Sequence, residues 1–330
     1  ADELLRDADL AVYRAKAEGK GRIDVCDENL RDEVRDRETL ERAIDSAIDN
    51  NEFVLHFQPS VDAIDHRITS FEALVRWERP GVGLVPPGDF IPIAERSGLI
   101  FELERWMLEA ACRRIAEWRL MGQGDGMRLA VNISGRHLIE GDLIADLDAA
   151  IAITGADPNL LEIELTESQL LDDVSRASAM LNDIRSRGIK IAIDDFGTGY
   201  SSMTYLQKLP VDVVKIDRSF ISSATTNSFD STIIDTVVTI GRALDLEIVA
   251  EGIETVDQLG YVIEAGVTHG QGYLMARPAP AHEAEAIIFG GPLFDRVRVL
   301  EEHRGHDRHW TDTVPAGSPV PLERAGWHPS

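Results

Sequence analysis

The sequence has little cysteine and no long apolar stretch, and each shortage argues against a class of protein. Its 330 residues include two cysteines, Cys26 and Cys112, and no CxxC pair. This argues against a disulfide framework and a zinc-thiolate site, and it indicates a reducing, cytoplasmic setting. No apolar run approaches the ~18 residues that a membrane-spanning helix needs, and the first residues lack the apolar core of a signal peptide.

Basic residues are few relative to acidic ones. Lysine and arginine total 33 against 58 aspartates and glutamates, so the formal net charge is −25. This balance argues against binding to DNA or to an anionic membrane surface, although bound metals or a few local basic residues can still attract a small anionic substrate. The nine histidines also lack the spacings typical of a metal site.

Changes in composition divide the chain into four predicted segments. Residues 1–27 carry a short amphipathic helix and strand, 28–50 form a charged helical linker, 51–292 form the main domain, and 293–330 form a flexible tail rich in proline and glycine. In the main domain, short β-rich runs alternate with helical runs, the last strand being predicted at Gln271–Leu274. About eight strands over roughly 230 residues favour an α/β fold of the (β/α)8 barrel type, with a doubly wound sheet as the alternative.

Polar side chains recur at the ends of the predicted strands, where barrel enzymes hold their catalytic groups. The positions are Glu72, Asn132, Glu164, Asp194 with Asp195, Lys215 with Asp217, Glu251 and Gln271. A single acidic residue at a strand end is often only a helix cap or a turn residue, but seven strand ends in register indicate one common site. Carboxylates with an amide oxygen suit hard ions such as Mg²⁺ or Mn²⁺.

The adjacent pair Asp194 and Asp195 is the most informative of these positions. Neighbouring carboxylates repel each other, so a fold that holds them together needs a compensating positive charge, usually a divalent metal. One carboxylate could bridge two ions while its neighbour binds the second, as two-metal phosphoester hydrolysis requires. Lys215 lies between apolar residues and is predicted to point into the same site. It would either orient water and stabilise phosphate charge or form a structural salt bridge to Asp194 or Glu251.

Nine short motifs follow one another along the main domain. One is SFEALVRW at residues 70–77, which contains Glu-Ala-Leu. The other motifs are FQP at 57–59, PGDFIP at 87–92, VNIS at 131–134, ELTE at 164–167, DDFGTG at 194–199, KID at 215–217, EGIET at 251–255 and QGYL at 271–274. In order and spacing throughout, the set resembles the EAL domains, the bacterial cyclic di-GMP phosphodiesterases, and the resemblance covers about residues 38–290.

The resemblance implies a barrel whose first strand runs antiparallel to the others. It also implies hydrolysis of cyclic di-GMP to linear pGpG with two Mg²⁺ or Mn²⁺ ions. The first ion would be bound by Glu72, Asn132, Glu164 and Asp194, and the second by Asp194, Asp195 and Glu251. The implied catalytic set is completed by Lys215 and Gln271, which would position the nucleophilic water, and by Glu167, which would steady the loop after Asp195. The implied substrate contacts are Gln58, Leu74 and Arg76, with the Arg76 guanidinium meeting a phosphate oxygen.

Three further expectations concern assembly and the rival functions. Residues 4–22 resemble the last helix and strand of a GGDEF diguanylate cyclase domain whose signature loop is absent from the sequence, so we expect no cyclic di-GMP synthesis and a longer GGDEF–EAL parent. By analogy with the family, the loop 196–205 and the next helix predict a homodimer through the EAL domain. The alternatives are a catalytically silent cyclic di-GMP receptor and a different metal-dependent barrel phosphodiesterase.

Overall fold

The structure, a computed structural model, describes residues 28–289 apart from 66, 123–125, 172–173, 199–205 and 225, together with residue 12. The predicted tail at 293–330 lies outside the described residues. So does the predicted cyclase remnant at 1–27, except for residue 12. Within the described part of the chain, no helix combines the length and the apolar character needed to span a membrane.

Among the described residues, ten strands form one sheet that closes into a barrel. They are β1 Phe53–Asp62, β2 Ile68–Arg79, β3 Gly83–Val85, β4 Arg128–Asn132, β5 Leu161–Thr166, β6 Lys190–Phe196, β7 Val213–Ile216, β8 Glu247–Ala250, β9 His269–Gln271 and β10 Ala279–Pro280. The closed ring runs β1-β2-β4-β5-β6-β7-β8-β9, because β1 pairs with both β2 and β9. Both pairings of β1 within the ring are antiparallel, and the other ring pairings are parallel. The predicted (β/α)8 barrel with an antiparallel first strand is therefore confirmed.

Helices alternate with the strands and cover the outside of the barrel. They are α1 Glu28–Asp49, α2 Pro87–Ser97, α3 Ile100–Leu120, α4 Gly135–Glu140, α5 Leu143–Thr154, α6 Glu167–Leu171, α7 Val174–Ser186, α8 Arg218–Ser223, α9 Ser228–Ala243, α10 Val256–Ala265 and α11 Ala281–Phe289. The C-terminal half of α1 packs on this layer, since Ile44 and Ala47 are both fully buried.

The parallel strands are apolar on both faces because one face lines the barrel interior and the other meets the helices. All four residues of β7 are buried, for example. Ala192, Val213 and Val249 form one apolar cluster contributed by three neighbouring strands. Side chains two residues apart share a face of a strand. Two residues further along the chain stand Asp194 on β6, Lys215 on β7 and Glu251 directly after β8. The barrel interior therefore changes from apolar to charged at this level.

The strand predicted near Gln271–Leu274 lies earlier in the chain, as β9 at His269–Gln271, and it is not the last, since β10 follows it. β9 ends at Gln271, and the chain then turns, with the Leu274 N–H donating to the Ile253 carbonyl at 2.9 Å. Gly272 packs directly against this backbone, and a Cβ at this glycine would lie 2.1 Å from the Ile253 oxygen. The close approach of two backbone segments ends the strand here, and it is invisible in the sequence pattern.

A charged cluster closes the end of the barrel opposite the strand C-termini. Arg128 at the start of β4 pairs with Glu162 on β5 at 3.0 Å and with Glu247 on β8, which also contacts Lys190.

We expect Arg128→Met to lower the free energy of unfolding by about 3–5 kcal/mol, because buried Glu162 loses its cation. Chemical denaturation measures this. The Mn²⁺ affinity of the folded variant should be unchanged, and a weaker affinity would contradict the separation of the two barrel ends.

Candidate active site

The predicted strand-end residues meet at the C-terminal mouth of the barrel. The Lys215 ammonium lies at their centre and is 2% exposed. Its Nζ is 2.6 Å from Glu251 Oε1, 2.9 Å from Glu164 Oε1, and 3.6 Å from both Glu72 Oε2 and Asp194 Oδ1. Four carboxylates, on or directly after four different strands, therefore share one lysine. This confirms that Lys215 points into the site. The prediction of a strand end at Glu72 is wrong, because β2 continues to Arg79 through its pairing with β1 and β3.

Two amide side chains fix the carboxylate of Glu72. Asn132 Nδ2 donates to Glu72 Oε1 at 2.8 Å, and Gln271 Nε2 donates to Glu72 Oε2 at 2.6 Å. The same Gln271 nitrogen lies 3.3 Å from Gln58 Oε1. Since Asn132 and Gln271 use their nitrogens for these contacts, their amide oxygens remain available as acceptors or metal ligands.

The charges in this cluster are strongly coupled. Burial raises the pKa of Glu72, but the Lys215 charge and the hydrogen bonds from Gln271 and Asn132 outweigh it and leave that pKa below its usual value. Burial raises the pKa of Glu164 well above its usual value and raises that of Glu251 to about 8, each against the attraction of Lys215. One ammonium is therefore too little positive charge for this set of carboxylates, and protons compensate where no other cation does.

Asp195 joins the site through an unusual backbone conformation. In a regular strand its side chain would point away from that of Asp194. Its φ is instead +54°, and the pairing of β6 with β7 shifts register between Ile193 and Phe196. The resulting bulge turns the second carboxylate toward the mouth. Burial, the Asp194 charge and the Asp217 charge together raise the pKa of Asp195 to about 6. A left-handed residue that holds two repelling carboxylates together is typical of a functional site.

The donor set suits divalent metal ions. Ligand oxygens of Asp194, Asp195 and Glu251 all lie within 4.8 Å of one another. The second oxygen of Glu164, Oε2, is buried and accepts no hydrogen bond. An unsatisfied buried carboxylate oxygen is costly, and a bound cation would satisfy it. Oxygen ligands without cysteine or paired histidine favour Mg²⁺ or Mn²⁺ over softer metals.

Glu167 holds the loop that follows the aspartate pair. It is 6% exposed at the start of α6, and its Oε2 accepts a hydrogen bond from the Gly197 N–H at 3.0 Å. Gly197 has a φ of +100°, and a Cβ there would come 2.9 Å from the ring of Phe220. Glycine is therefore required on both conformational and steric grounds. The rest of this loop, 199–205, lies outside the described residues.

The three predicted substrate contacts have different surroundings. Gln58 and Leu74 line a cavity of about 180 Å³ at the mouth, together with Glu72, Asp194, Glu251 and Gln271. Half-buried Arg76 donates through Nη1 to the Val75 carbonyl at 2.8 Å, and burial lowers the pKa of its guanidinium. Arg76 is not among the residues that line this cavity, unlike Gln58 and Leu74.

The cavity also contains residues that the sequence analysis did not select. They are Arg218, Glu254 and Tyr273. Arg218 directly follows Asp217, whose carboxylate caps α8 by accepting from the Ser219 N–H at 3.0 Å. Asp217 thus has the ordinary role of a helix cap. The position of Arg218 just after a strand end was the only available signal, because nothing in its local pattern separates it from a surface arginine.

Comparison with known proteins agrees with this geometry. Residues 40–278 match the family model described as the EAL domain. The chain belongs to the EAL domain family.

This EAL domain is similar in sequence to parts of two longer bacterial proteins. It is 37% identical over 286 residues to the bifunctional diguanylate cyclase/cyclic di-GMP phosphodiesterase MucR of Pseudomonas aeruginosa, covering 87% of this chain and 42% of the relative. It is 34% identical over 278 residues to the cyclic di-GMP phosphodiesterase PdeR of Escherichia coli, covering 84% of this chain and 42% of the relative. The chain thus spans less than half the length of these curated relatives.

A solved structure also matches this EAL domain closely. It is the PaMucR phosphodiesterase in complex with c-di-GMP, which aligns with a TM-score of 0.72 at 39% identity. The alignment covers 74% of this chain and 99% of that one. The alignment therefore includes nearly all of that chain.

The Glu167 contact predicts a positioning effect in this EAL domain. We expect Glu167→Ala to lower phosphodiester turnover by about 10–100-fold, because the Gly197 N–H loses its acceptor and the turn after Asp195 is released. Glu167→Gln keeps an acceptor oxygen and should retain most of the activity. Steady-state kinetics at saturating Mn²⁺ measures both variants. Equal losses in the two would show that the charge of Glu167, not its hydrogen bond, is what the site needs.

Proposed function

We propose that this protein is a metal-dependent phosphodiesterase that hydrolyses cyclic di-GMP to linear pGpG. The observation that carries the proposal is the carboxylate cluster around Lys215 at the barrel mouth. The relatives support the substrate, since PdeR is named a cyclic di-GMP phosphodiesterase and the PaMucR structure contains c-di-GMP. A linear product follows if one of the two phosphodiester bonds of the ring is cut.

Charge balance supports the assignment of two ions. Five carboxylates meet one ammonium, which leaves four negative charges that two divalent cations would balance. These carboxylates belong to Glu72, Glu164, Asp194, Asp195 and Glu251. We assign the first ion to Glu72, Asn132, Glu164 and Asp194, and the second to Asp194, Asp195 and Glu251. In this assignment the first ion would be the partner of the buried Glu164 Oε2, which accepts no hydrogen bond from the protein.

The ions would supply a water of lowered pKa and would offset charge on the phosphate oxygens. The protein's own groups then have distinct tasks. Lys215, held by Glu164 and Glu251, presents a fixed positive charge to the attacking water and to the developing phosphate charge. Gln271, held by Glu72, leaves its amide oxygen free to accept a hydrogen bond from the same water. The water oxygen would bond to one phosphorus, the bond from that phosphorus to the 3′ oxygen would break, and the 3′ oxygen would leave as a hydroxyl after taking up one proton, which balances the proton lost by the water.

Substrate binding falls to the groups that line the cavity and its rim. Gln58 and Leu74 lie beside the metal-binding carboxylates. Arg76 would exchange its contact with the Val75 carbonyl for a phosphate oxygen, which a planar guanidinium can bind through two N–H groups.

One assay separates hydrolysis from simple binding. The protein is incubated with cyclic di-GMP and Mg²⁺ or Mn²⁺, and pGpG is followed by chromatography with Glu72→Ala as the control. We expect pGpG from the wild type and none from the variant. Tight binding without turnover would instead identify a silent cyclic di-GMP receptor. Turnover that survives in Glu72→Ala would contradict the assignment of the metal ligands.

A further inference from the structure

A fully buried histidine lies outside the catalytic mouth, in the helical layer. His137 belongs to the short helix α4 that follows β4, and it is 0% exposed. Its Nδ1 lies 2.8 Å from Glu104 Oε2 on α3, and its Nε2 lies 3.1 Å from Asp146 Oδ2 on α5. One imidazole thus joins three helices through two carboxylates.

Two carboxylates hold the ring of this histidine from opposite sides, since each ring nitrogen lies within hydrogen-bonding distance of one carboxylate oxygen. The other oxygen of Asp146 accepts from Arg105 Nε at 2.9 Å. The imidazole is therefore fixed between two carboxylates, one of which Arg105 also holds.

The network reaches the site through Glu104. Its second oxygen, Oε1, accepts a hydrogen bond from the Ser134 N–H at 2.7 Å. Ser134 is the second residue after Asn132, and the intervening Ile133 N–H donates to the Glu164 carbonyl at 3.0 Å. The backbone that leaves Asn132 is therefore fixed by the barrel on one side and by a buried carboxylate on the other.

We propose that Glu104 and His137 are positioning residues for Asn132. His137 holds the Glu104 carboxylate in place, Glu104 fixes the turn at Ser134, and the turn fixes the height and direction of the Asn132 amide at the barrel mouth. This inference rests on the proposed function, in which Asn132 is a metal ligand. Groups that orient a ligand typically affect metal affinity by about 10–100-fold.

Three variants test the proposal through Mn²⁺ affinity rather than activity. Glu104→Ala removes the acceptor of the Ser134 N–H, and we expect Mn²⁺ to bind about 10–100-fold more weakly. Glu104→Gln keeps an oxygen for that N–H and should bind Mn²⁺ nearly as well as the wild type. Ser134→Ala removes only the hydroxyl that caps α4, leaves the N–H in place, and should not change the affinity.

Titration calorimetry of each folded variant gives the result, with Glu72→Gln as the reference for a lost ligand. Weak binding by both Glu72→Gln and Glu104→Ala, with recovery in Glu104→Gln, supports the proposal. Normal binding by Glu104→Ala beside weak binding by Glu72→Gln overturns the positioning role alone. Normal binding by Glu72→Gln overturns the metal assignment and this inference with it. If Glu104→Ala does not fold, His137→Gln replaces it. The same weakening is expected there, and normal Mn²⁺ binding overturns the proposal.

Discussion

Replacing Lys215 with methionine should greatly lower turnover and strongly destabilise the metal-free protein. The ammonium is the one cation within 4 Å of Glu72, Glu164, Asp194 and Glu251 among the ion pairs of the described residues. Its loss leaves buried carboxylates without compensation, which costs about 3–5 kcal/mol of unfolding free energy. Loss of its charge at the reacting phosphate should lower turnover by about 10²–10³-fold.

Added Mn²⁺ distinguishes a loss of charge compensation from a general packing defect. Because bound cations would replace part of the lost charge, saturating Mn²⁺ should raise the melting temperature of Lys215→Met more than that of the wild type. Turnover should stay low in both conditions. Lys190→Met, which removes a half-buried lysine from the opposite end of the barrel, is the matched control. Differential scanning fluorimetry with and without Mn²⁺ measures the effect. Equal Mn²⁺ shifts in all three proteins would contradict a direct role of Lys215 in charge compensation.

Asp195→Asn should have opposite effects on activity and on the stability of the metal-free protein. Turnover should fall by more than about 100-fold, because the second ion loses a charged ligand worth several kcal/mol. Without metal, removing one of two repelling carboxylates should stabilise the fold, by about 1 kcal/mol once solvent screening is included. Asparagine tolerates the left-handed conformation found at this position, so the backbone should be preserved.

The pH dependence of this stabilisation follows from the raised pKa of Asp195. That pKa is about 6 in the folded metal-free protein, against 3.8 ordinarily. A carboxyl group with a raised folded pKa binds its proton more tightly when folded, so ionising it penalises folding. The penalty is absent below about pH 4 and complete above about pH 6, so the gain from Asp195→Asn should appear across that interval.

Urea denaturation in EDTA at several pH values measures the difference in unfolding free energy between Asp195→Asn and the wild type. Asp195→Ala is the comparison, since it removes the same charge but favours the left-handed backbone less. A uniform gain at all pH values would contradict the electrostatic explanation.

The sequence pattern alone predicts which residues form the site better than it predicts the backbone conformation and the contacts that place them there. Strand ends are predictable because apolar runs end at polar residues, and Lys215 is placed correctly because its neighbours are buried on both sides. The conformation of Asp195 could not be predicted, because strand alternation assigns it to the wrong face and the bulge depends on pairing with β7. The Glu104–His137 contact was missed because the two residues are 33 positions apart and a lone histidine has no distinctive pattern.

The most direct test of the account is the dependence of turnover on bound metal. Protein stripped with EDTA is reconstituted with increasing Mn²⁺, and pGpG formation from cyclic di-GMP is measured alongside the number of ions bound per chain. We expect no product without metal and a maximum rate only when two ions are bound. Full turnover by the stripped protein, or a maximum rate at one ion per chain, would contradict this expectation.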